Sequence, residues 1–320
     1  MGKKKWGAWL ACLGLLLHCG PGVAQDAWPA RPVRMVVAYP PGGNSDAVAR
    51  LVTERLASEL KASIFVENKG GASGLIANKY VSNAAPDGYT LLFGTSSAFT
   101  LQPHLRESPV VLGDFTVLGG VADYVPVMGV RNGLHISTME QFLAYAKAHP
   151  GMSYGSSGVG TASHLAGEQL ARASGVPMLH VPYKGSADAL TALNAGQIDF
   201  LVDGTVAHAI QGGRITPIAT FSRHRHAGLP DLPTVYEAGL NMRLPSGPLW
   251  IMAAPKGLPR AMAERISAAL QAALDDPAVQ AQLVRVSAAA SWASPDELAS
   301  QLAQDDAFYA QLTQELGISM

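Results

Sequence analysis

Two α/β lobes with a ligand cleft between them are the architecture this 320-residue sequence predicts. Three observations carry it. Short β-branched apolar runs alternate with amphipathic stretches from residue 33 onward, the signature of layered α/β units. A strand that ends in a glycine turn and opens a helix occurs at 34–46 and again at 154–164. The alternation also restarts after Pro150-Gly151, which divides the chain into two similar passes rather than one long sheet. A cleft between two lobes is the usual place for a small-molecule site.

The first strand covers 33–38, where Val33, Met35, Val36 and Val37 supply the apolar run. Pro40-Pro41-Gly42-Gly43 turns the chain, and a helix over 46–60 follows, with Val48, Leu51, Val52 and Leu56 at helical spacing. A strand over 63–67, a glycine-rich loop over 69–74 and a helix to about 83 come next. Pro86-Asp87-Gly88 makes a turn before a buried strand over 89–94, and strands over 116–122 and 126–130 read as a further pair. Thr138 and Gln141 have capping-box spacing, so a helix over 139–149 is expected, stopped by Pro150-Gly151. The second pass runs as strand 152–156, loop 157–161, helix 162–174, strand 178–181, helix 186–195, strand 198–202, helical turn 206–212 and strand 215–220. After a loop over 223–233 comes a strand over 249–253. Two Ala-rich helices, 259–274 and 295–312, close the chain, the second behind a Ser294/Glu297 capping box. They match neither lobe's core and are expected to pack back onto the first. The expected partition is a first domain from 25–125 and 250–320 and a second from 126–249.

Residues 1–24 read as a cleavable targeting segment. Lys3, Lys4 and Lys5 form a basic start, 6–17 an apolar core, and Gly22-Val23-Ala24 offers small residues ahead of a cut at Gln25. About twelve apolar residues are too few to span a bilayer. Both cysteines, Cys12 and Cys19, fall in this segment, so the 296 residues that remain hold together without a disulfide or a cysteine-bound metal. Losing three lysines takes 23 basic residues to 20 against 24 acidic, a net charge of −4. That balance argues against nucleic acid and anionic membrane as partners. A soluble periplasmic monomer without metal or cofactor is expected.

The turn into the first helix leaves backbone N–H groups at a helix start, where the macrodipole adds partial positive charge. A small anion is the natural occupant. Gly43, Asn44 and Ser45 stand there, and Asn44 and Ser45 are expected to cap the helix and donate further bonds. Asp46 belongs to the same candidate set, but a carboxylate set against an anion repels it, so a bracing role is expected. The counterpart at 154–164 offers Ser157, Gly158, Thr161, Ser163 and His164, with glycine admitting close backbone approach and hydroxyls donating to an oxygen. Thr95, Ser96 and Ser97 form a third hydroxyl-rich strand end. Two helix starts facing one another would hold both ends of a dicarboxylate without an arginine. Rival chemistries fit the spacing poorly. Residues 158–163 read G-x-G-x-x-S, not a dinucleotide fingerprint, and 155–158 lacks the nucleophile elbow. A Ser157/His164/Asp203 triad has no motif context. His224-Arg225-His226 reads as a solvated basic loop rather than a metal site, and Lys184 as structural or at the rim.

Several segments resemble the Bug-type periplasmic substrate-binding receptors of tripartite tricarboxylate transporters. They include Trp28-Pro29-Ala30-Arg31-Pro32-Val33-Arg34, Pro40-Pro41-Gly42-Gly43-Asn44-Ser45-Asp46 and Val66-Glu67-Asn68-Lys69-Gly70-Gly71-Ala72. Ala85-Pro86-Asp87-Gly88-Tyr89-Thr90, His180-Val181-Pro182-Tyr183-Lys184-Gly185-Ser186, Leu229-Pro230-Asp231-Leu232-Pro233-Thr234 and Ala254-Pro255 continue the series. The resemblance implies a Venus-flytrap fold of type II that closes on a small carboxylate, with membrane transporter subunits or a signalling partner as its docking target, and no catalysis. It places first-lobe contacts at 39–46, beginning with Tyr39, and at 95–97, and second-lobe contacts at 157–164, with Asp203 at a strand end nearby. Gln102-Pro103 stands where the family usually shows Asn-Pro, residues 106–111 lack its Leu-Pro-Tyr-Asp, and the aromatic before Ala254-Pro255 is displaced to Trp250.

Overall fold

The computed structural model describes residues 28–108, 110–245 and 249–318. The expected targeting segment and its cut after Ala24 lie outside these residues. The first half runs β1 (Val33–Val37), α1 (Asn44–Leu60), β2 (Ile64–Asn68), α2 (Leu75–Ser82), β3 (Thr90–Thr95), the single-turn helices α3 (Ser97–Thr100) and α4 (Gln102–Leu105), and β4 (Phe115–Tyr124). Then follow β5 (Val127–Arg131), α5 (Met139–Ala148), β6 (Ser153–Ser156), α6 (Ala162–Ser174), β7 (Leu179–Pro182), α7 (Ser186–Asn194), β8 (Phe200–Asp203), α8 (Val206–Ala209) and β9 (Ile215–Thr220). The last part is β10 (Trp250–Pro255), α9 (Arg260–Asp275), α10 (Pro277–Arg285), β11 (Ala288–Ala293) and α11 (Pro295–Leu316).

Two mixed sheets result, one of six strands in the order β11-β4-β10-β3-β1-β2 and one of five in the order β7-β6-β8-β5-β9. In the first, β1 runs parallel to β2 and β3, and β10 antiparallel to β3 and β4. In the second, β6 runs parallel to β7 and β8. The two-residue period of a strand sorts the side chains onto two faces. Val33, Met35 and Val37 join the core beneath α1 and α9, whereas Val36 and Ala38 join the opposite core with Leu75 of α2. Val48, Val52, Leu56 and Leu60, at steps of four, give α1 the apolar stripe that seats it on the first core. The second sheet repeats the device, with Met128, Val130, Phe200 and Val202 on one face and Val127 and Leu201 on the other.

The expected strand pair does not form. β4 lies in the six-stranded sheet and β5 in the five-stranded one, so residues 125–126 carry the chain between lobes and the segment after β9 brings it back. An apolar run specifies a strand but not the sheet it joins. α9 packs against α1 as expected, and α10 packs there beside it. α11 also rests on the second lobe, where Leu165 of α6 shares a cluster with Leu101, Leu105, Tyr309 and Leu312. Two elements go unread in the sequence. α10 carries a start signal, since Asp276 accepts from the Ala278 N–H at 2.8 Å with Pro277 at the first helical position. β11 contains no β-branched residue, and its ladder to β4 makes it a strand against its own propensity. Of the two capping boxes, the one at Ser294/Glu297 is complete. At the other, Thr138 accepts from the Gln141 N–H at 3.2 Å, while Gln141 Oε1 accepts from the Ser137 N–H instead.

Leu56 is wholly buried between α1 and the first sheet. Replacing it with alanine is expected to cost about 2–5 kcal/mol. A urea midpoint that does not move in Leu56→Ala would contradict this packing.

Candidate functional site

The carboxyl ends of β1, β3, β6 and β8 converge on a gap between the lobes. β1 and β6 each lie between two parallel neighbours, the topological position at which open α/β sheets hold ligands. The gap contains a cavity of ≈ 60 Å³, room for about four waters at roughly 15 Å³ each. Of the residues singled out in the sequence, the first lobe brings Tyr39, Gly43, Asn44, Ser45, Thr95 and Ser97 to its wall. The second lobe brings Ser157, Thr161, Ser163 and Asp203.

Three helices, α1, α6 and α7, start on this wall with Asn44, Ala162 and Ser186, and none of them has a side-chain cap. The expectation that Asn44 and Ser45 cap α1 therefore fails. Gly43 is the N-cap, Ser45 Oγ accepts from Trp250 Nε1 at 2.9 Å, and Asn44 Nδ2 is buried with no acceptor. Leaving a buried donor unpaired costs about 1–3 kcal/mol, and this one lies against the backbone of Gly204 in the second lobe. Across the gap, Ser163 Oγ accepts from the Ser157 N–H at 3.0 Å and lies 3.1 Å from both the Ser157 and Thr161 hydroxyls. Thr161 Oγ1 donates to Gly158 O at 2.7 Å.

Among the described residues the wall contains no lysine or arginine, and its charges are Asp188 and Asp203. Asp203 is 1% exposed and accepts from the Thr205 N–H (2.9 Å), Thr205 Oγ1 (2.8 Å) and Ser186 Oγ (2.8 Å). Burial pushes the Tyr124 phenol well above its ordinary value, and the Asp203 charge adds to the shift. Burial also raises Tyr39, against the hydrogen bond to Thr95 and with the help of Asp203. Both hydroxyls thus remain protonated donors.

Four expected contacts are not on the wall. Asp46 accepts from the Gly42 N–H (3.0 Å), Arg50 Nε (2.9 Å) and Asn68 Nδ2 (2.8 Å), so it braces the turn from behind. Burial pushes its carboxyl up, but these three partners together hold it below the usual carboxylate value. Ser96 belongs to the turn into α3, its N–H donating to Leu249 O at 2.8 Å. Gly158 faces Ser73 of the first lobe. His164 points into the second lobe, where Nδ1 accepts from the Gly160 N–H at 3.1 Å and the ring stacks on His180 at 4.0 Å. That acceptor role puts the proton on Nε2, which lies 3.7 Å from Glu168.

Tyr124, Ser186 and Trp250 also line the wall and are not among the residues the sequence singles out as contacts. Ser186 was detectable, because Lys184-Gly185-Ser186 repeats the strand, glycine and helix-start pattern. Tyr124 was not, since its place depends on where the chain changes sheets. Lys184 itself is exposed and makes no ion pair among the described residues. His226 corrects the expectation of a solvated loop. It is buried, its Nδ1 accepting from the Gly228 N–H at 3.0 Å and its Nε2 donating to Ser287 Oγ at 3.1 Å. Among the described residues no group of three or more His, Asp or Glu is arranged to hold a metal. The structure also separates the imagined triad, since Asp203 bonds Thr205 and Ser186, and His164 faces Glu168. Its serine–histidine contacts, Ser156 Oγ to His180 Nε2 at 2.6 Å and Ser287 Oγ to His226 Nε2 at 3.1 Å, are both sealed from solvent at the serine.

Residues 48–317 match the family described as the tripartite tricarboxylate transporter family receptor. Among solved structures, the periplasmic binding protein BugD is 34% identical with a TM-score of 0.85, covering 91% of this chain and 99% of its own. Rpa4515 of R. palustris, solved with adipate, is 28% identical with a TM-score of 0.85, covering 91% and 99%. MatC from Rhodopseudomonas palustris, solved with bound malate, is 28% identical with a TM-score of 0.80, covering 89% and 99%.

The stacked histidines set a pH dependence. Burial pushes His164 down to about 4. Burial, with the nearby His164, also pushes His180 down to about 4, Glu168 opposing. Between the ordinary value of 6.5 and about 4, the unfolded chain therefore binds more protons than the folded one. Stability is full above that window and falls as pH drops through it. The loss is roughly 3 kcal/mol for His164 and smaller for the less enclosed His180, whose charge water screens in part. Thermal unfolding followed from about pH 7.5 to about pH 4.5 should show this fall. In His164→Gln, which keeps an acceptor for the Gly160 N–H, it should be shallower.

Proposed function

The chain belongs to the tripartite tricarboxylate transporter family of receptors, and from that premise we propose that it is an exported periplasmic solute receptor. Its lobes close on a small organic carboxylate and present it to the membrane subunits of a tripartite transporter. The observation that carries this reading is the convergence of three uncapped helix starts, that of Asn44 among them, on one cavity. Neutral donors of this kind suit carboxylate oxygens. Similar receptors solved with adipate and malate support the ligand class. A cavity of ≈ 60 Å³ favours the short end of that class.

In this reading Tyr39, Gly43, Asn44, Ser45, Thr95 and Ser97 hold the ligand from one lobe. Ser157, Thr161, Ser163 and the α7 start hold it from the other. Asp203 serves by orienting Ser186 and keeping Tyr124 protonated. The lobes divide as 25–125 with 250–320 and 126–249, a partition supported by the strand membership of the two sheets. Cleavage after Ala24 releases the receptor as a monomer. It acts as a receptor, the role the family description names, rather than as an enzyme.

Calorimetric titration with malate, succinate, adipate and short monocarboxylates tests the proposal. At least one should bind, and Ser157→Trp, which fills the cavity, should abolish the heat. Asn44→Ala should raise Kd about tenfold, equivalent to ~1.4 kcal/mol. Silence from every carboxylate, together with turnover of an ester, would overturn the receptor reading.

A further inference from the structure

The loop that brings Ser157 and Thr161 to the cavity is also gripped by the first lobe from outside the cavity. Gln102, fully buried at the start of α4, donates through Nε2 to Gly160 O at 2.6 Å and to Val159 O at 3.1 Å. Ser73 Oγ donates to the same Val159 carbonyl at 2.7 Å. Gln102 Oε1 accepts from Arg106 Nε at 2.9 Å, which fixes the amide with its nitrogen toward the loop. Neither Ser73 nor Gln102 lines the cavity, so these bonds join the lobes without touching what the lobes enclose.

The loop is shaped to receive them. Gly160 has φ +68°, and a Cβ there would stand 2.4 Å from Gln102 Nε2 and from Leu105 Cδ1. Gly158 has φ +133°, and its Cβ would stand 3.0 Å from Ser73 Oγ. Each glycine lies where a first-lobe side chain comes closest. In the sequence these glycines suggest room for a ligand. In the structure they make room for the opposite lobe.

We propose that Ser73 and Gln102 form a latch that stabilises the closed arrangement of the lobes whether or not a ligand is present. They are positioning residues, acting on the ligand only through the loop they hold. Its consequence for affinity rests on the receptor reading above. The apparent Kd is the intrinsic one divided by the closed fraction, so a latch shifts every ligand's affinity by one common factor.

The test compares the purified protein with Gln102→Leu and Ser73→Ala by small-angle scattering without ligand and by titration with the carboxylate that binds best. Both variants should show a larger radius of gyration. Kd should rise about tenfold in Gln102→Leu (~1.4 kcal/mol) and by a smaller factor in Ser73→Ala, through faster dissociation and with the order of ligand preference unchanged. If Gln102→Leu fails to fold, the half-buried Ser73→Ala decides alone. An unchanged radius with unchanged Kd overturns the latch, and so does an altered order of preference, which would put these residues in the ligand site. Scattering needs no ligand, so it stands even if no carboxylate binds, and the wild-type titration stands if the latch fails.

Discussion

Buried donors that the protein does not satisfy must be satisfied by something else, and the cleft is organised around that constraint. The starts of α1, α6 and α7 reach the cavity without side-chain caps, and Asn44 Nδ2 is buried beside them with no partner. Caps are not foreign to this chain, since Thr138, Asp276 and Ser294 cap helices remote from the cavity. At the cavity the potential capping groups are diverted. Ser45 is taken by the Trp250 indole, and Thr161 by the Gly158 carbonyl. The same side chains that would close off the helix starts instead fix the loops that present them.

Charge is handled in the same spirit. A cavity whose described wall holds no cation can take an anion only if its own carboxylates are screened or turned away. Of the two on the wall, Asp203 is spent on Thr205 and Ser186 and Asp188 is exposed to water, while Asp46 is turned away toward Gly42, Arg50 and Asn68. Neutral hydrogen bonds then do the recognising. They read an oxygen acceptor and leave the remainder of the molecule nearly unspecified, which is compatible with similar receptors solved with acids as different as malate and adipate.

Much of this was legible in the sequence because it is local. The turn into α1 and the turn into α6 each declare themselves within about a dozen residues, and the apolar alternation that builds both sheets does so too. What stayed hidden depends on long-range pairing. β11 is an alanine strand that exists because β4 offers a ladder, and β4 and β5 look like partners because they are neighbours in sequence. His164 shows a subtler limit. Consecutive helical residues rotate by about 100°, so once Ser163 faces the cavity, His164 one position on is carried toward His180 and the lobe interior. Its imidazole supports Gly160 from behind rather than meeting a ligand. The glycines at 158 and 160 announced a close approach correctly but could not say by what.

These constraints together couple binding to closing. Asn44 and Ser45 belong to one lobe and Ser157 and Thr161 to the other, so only the closed arrangement lets both sets reach a single ligand. A ligand can shift the lobe equilibrium only by the difference between its affinities for the two arrangements, and here nearly all of its contacts depend on that difference. Because no donor among the described residues of the wall is a charged side chain, separating the lobes strands no such cation in a dry pocket. Opening therefore replaces neutral hydrogen bonds with water and carries no large penalty for an unpaired charge. A receptor that must surrender its cargo on demand gains from that choice, and an arginine in the same place would make release far costlier.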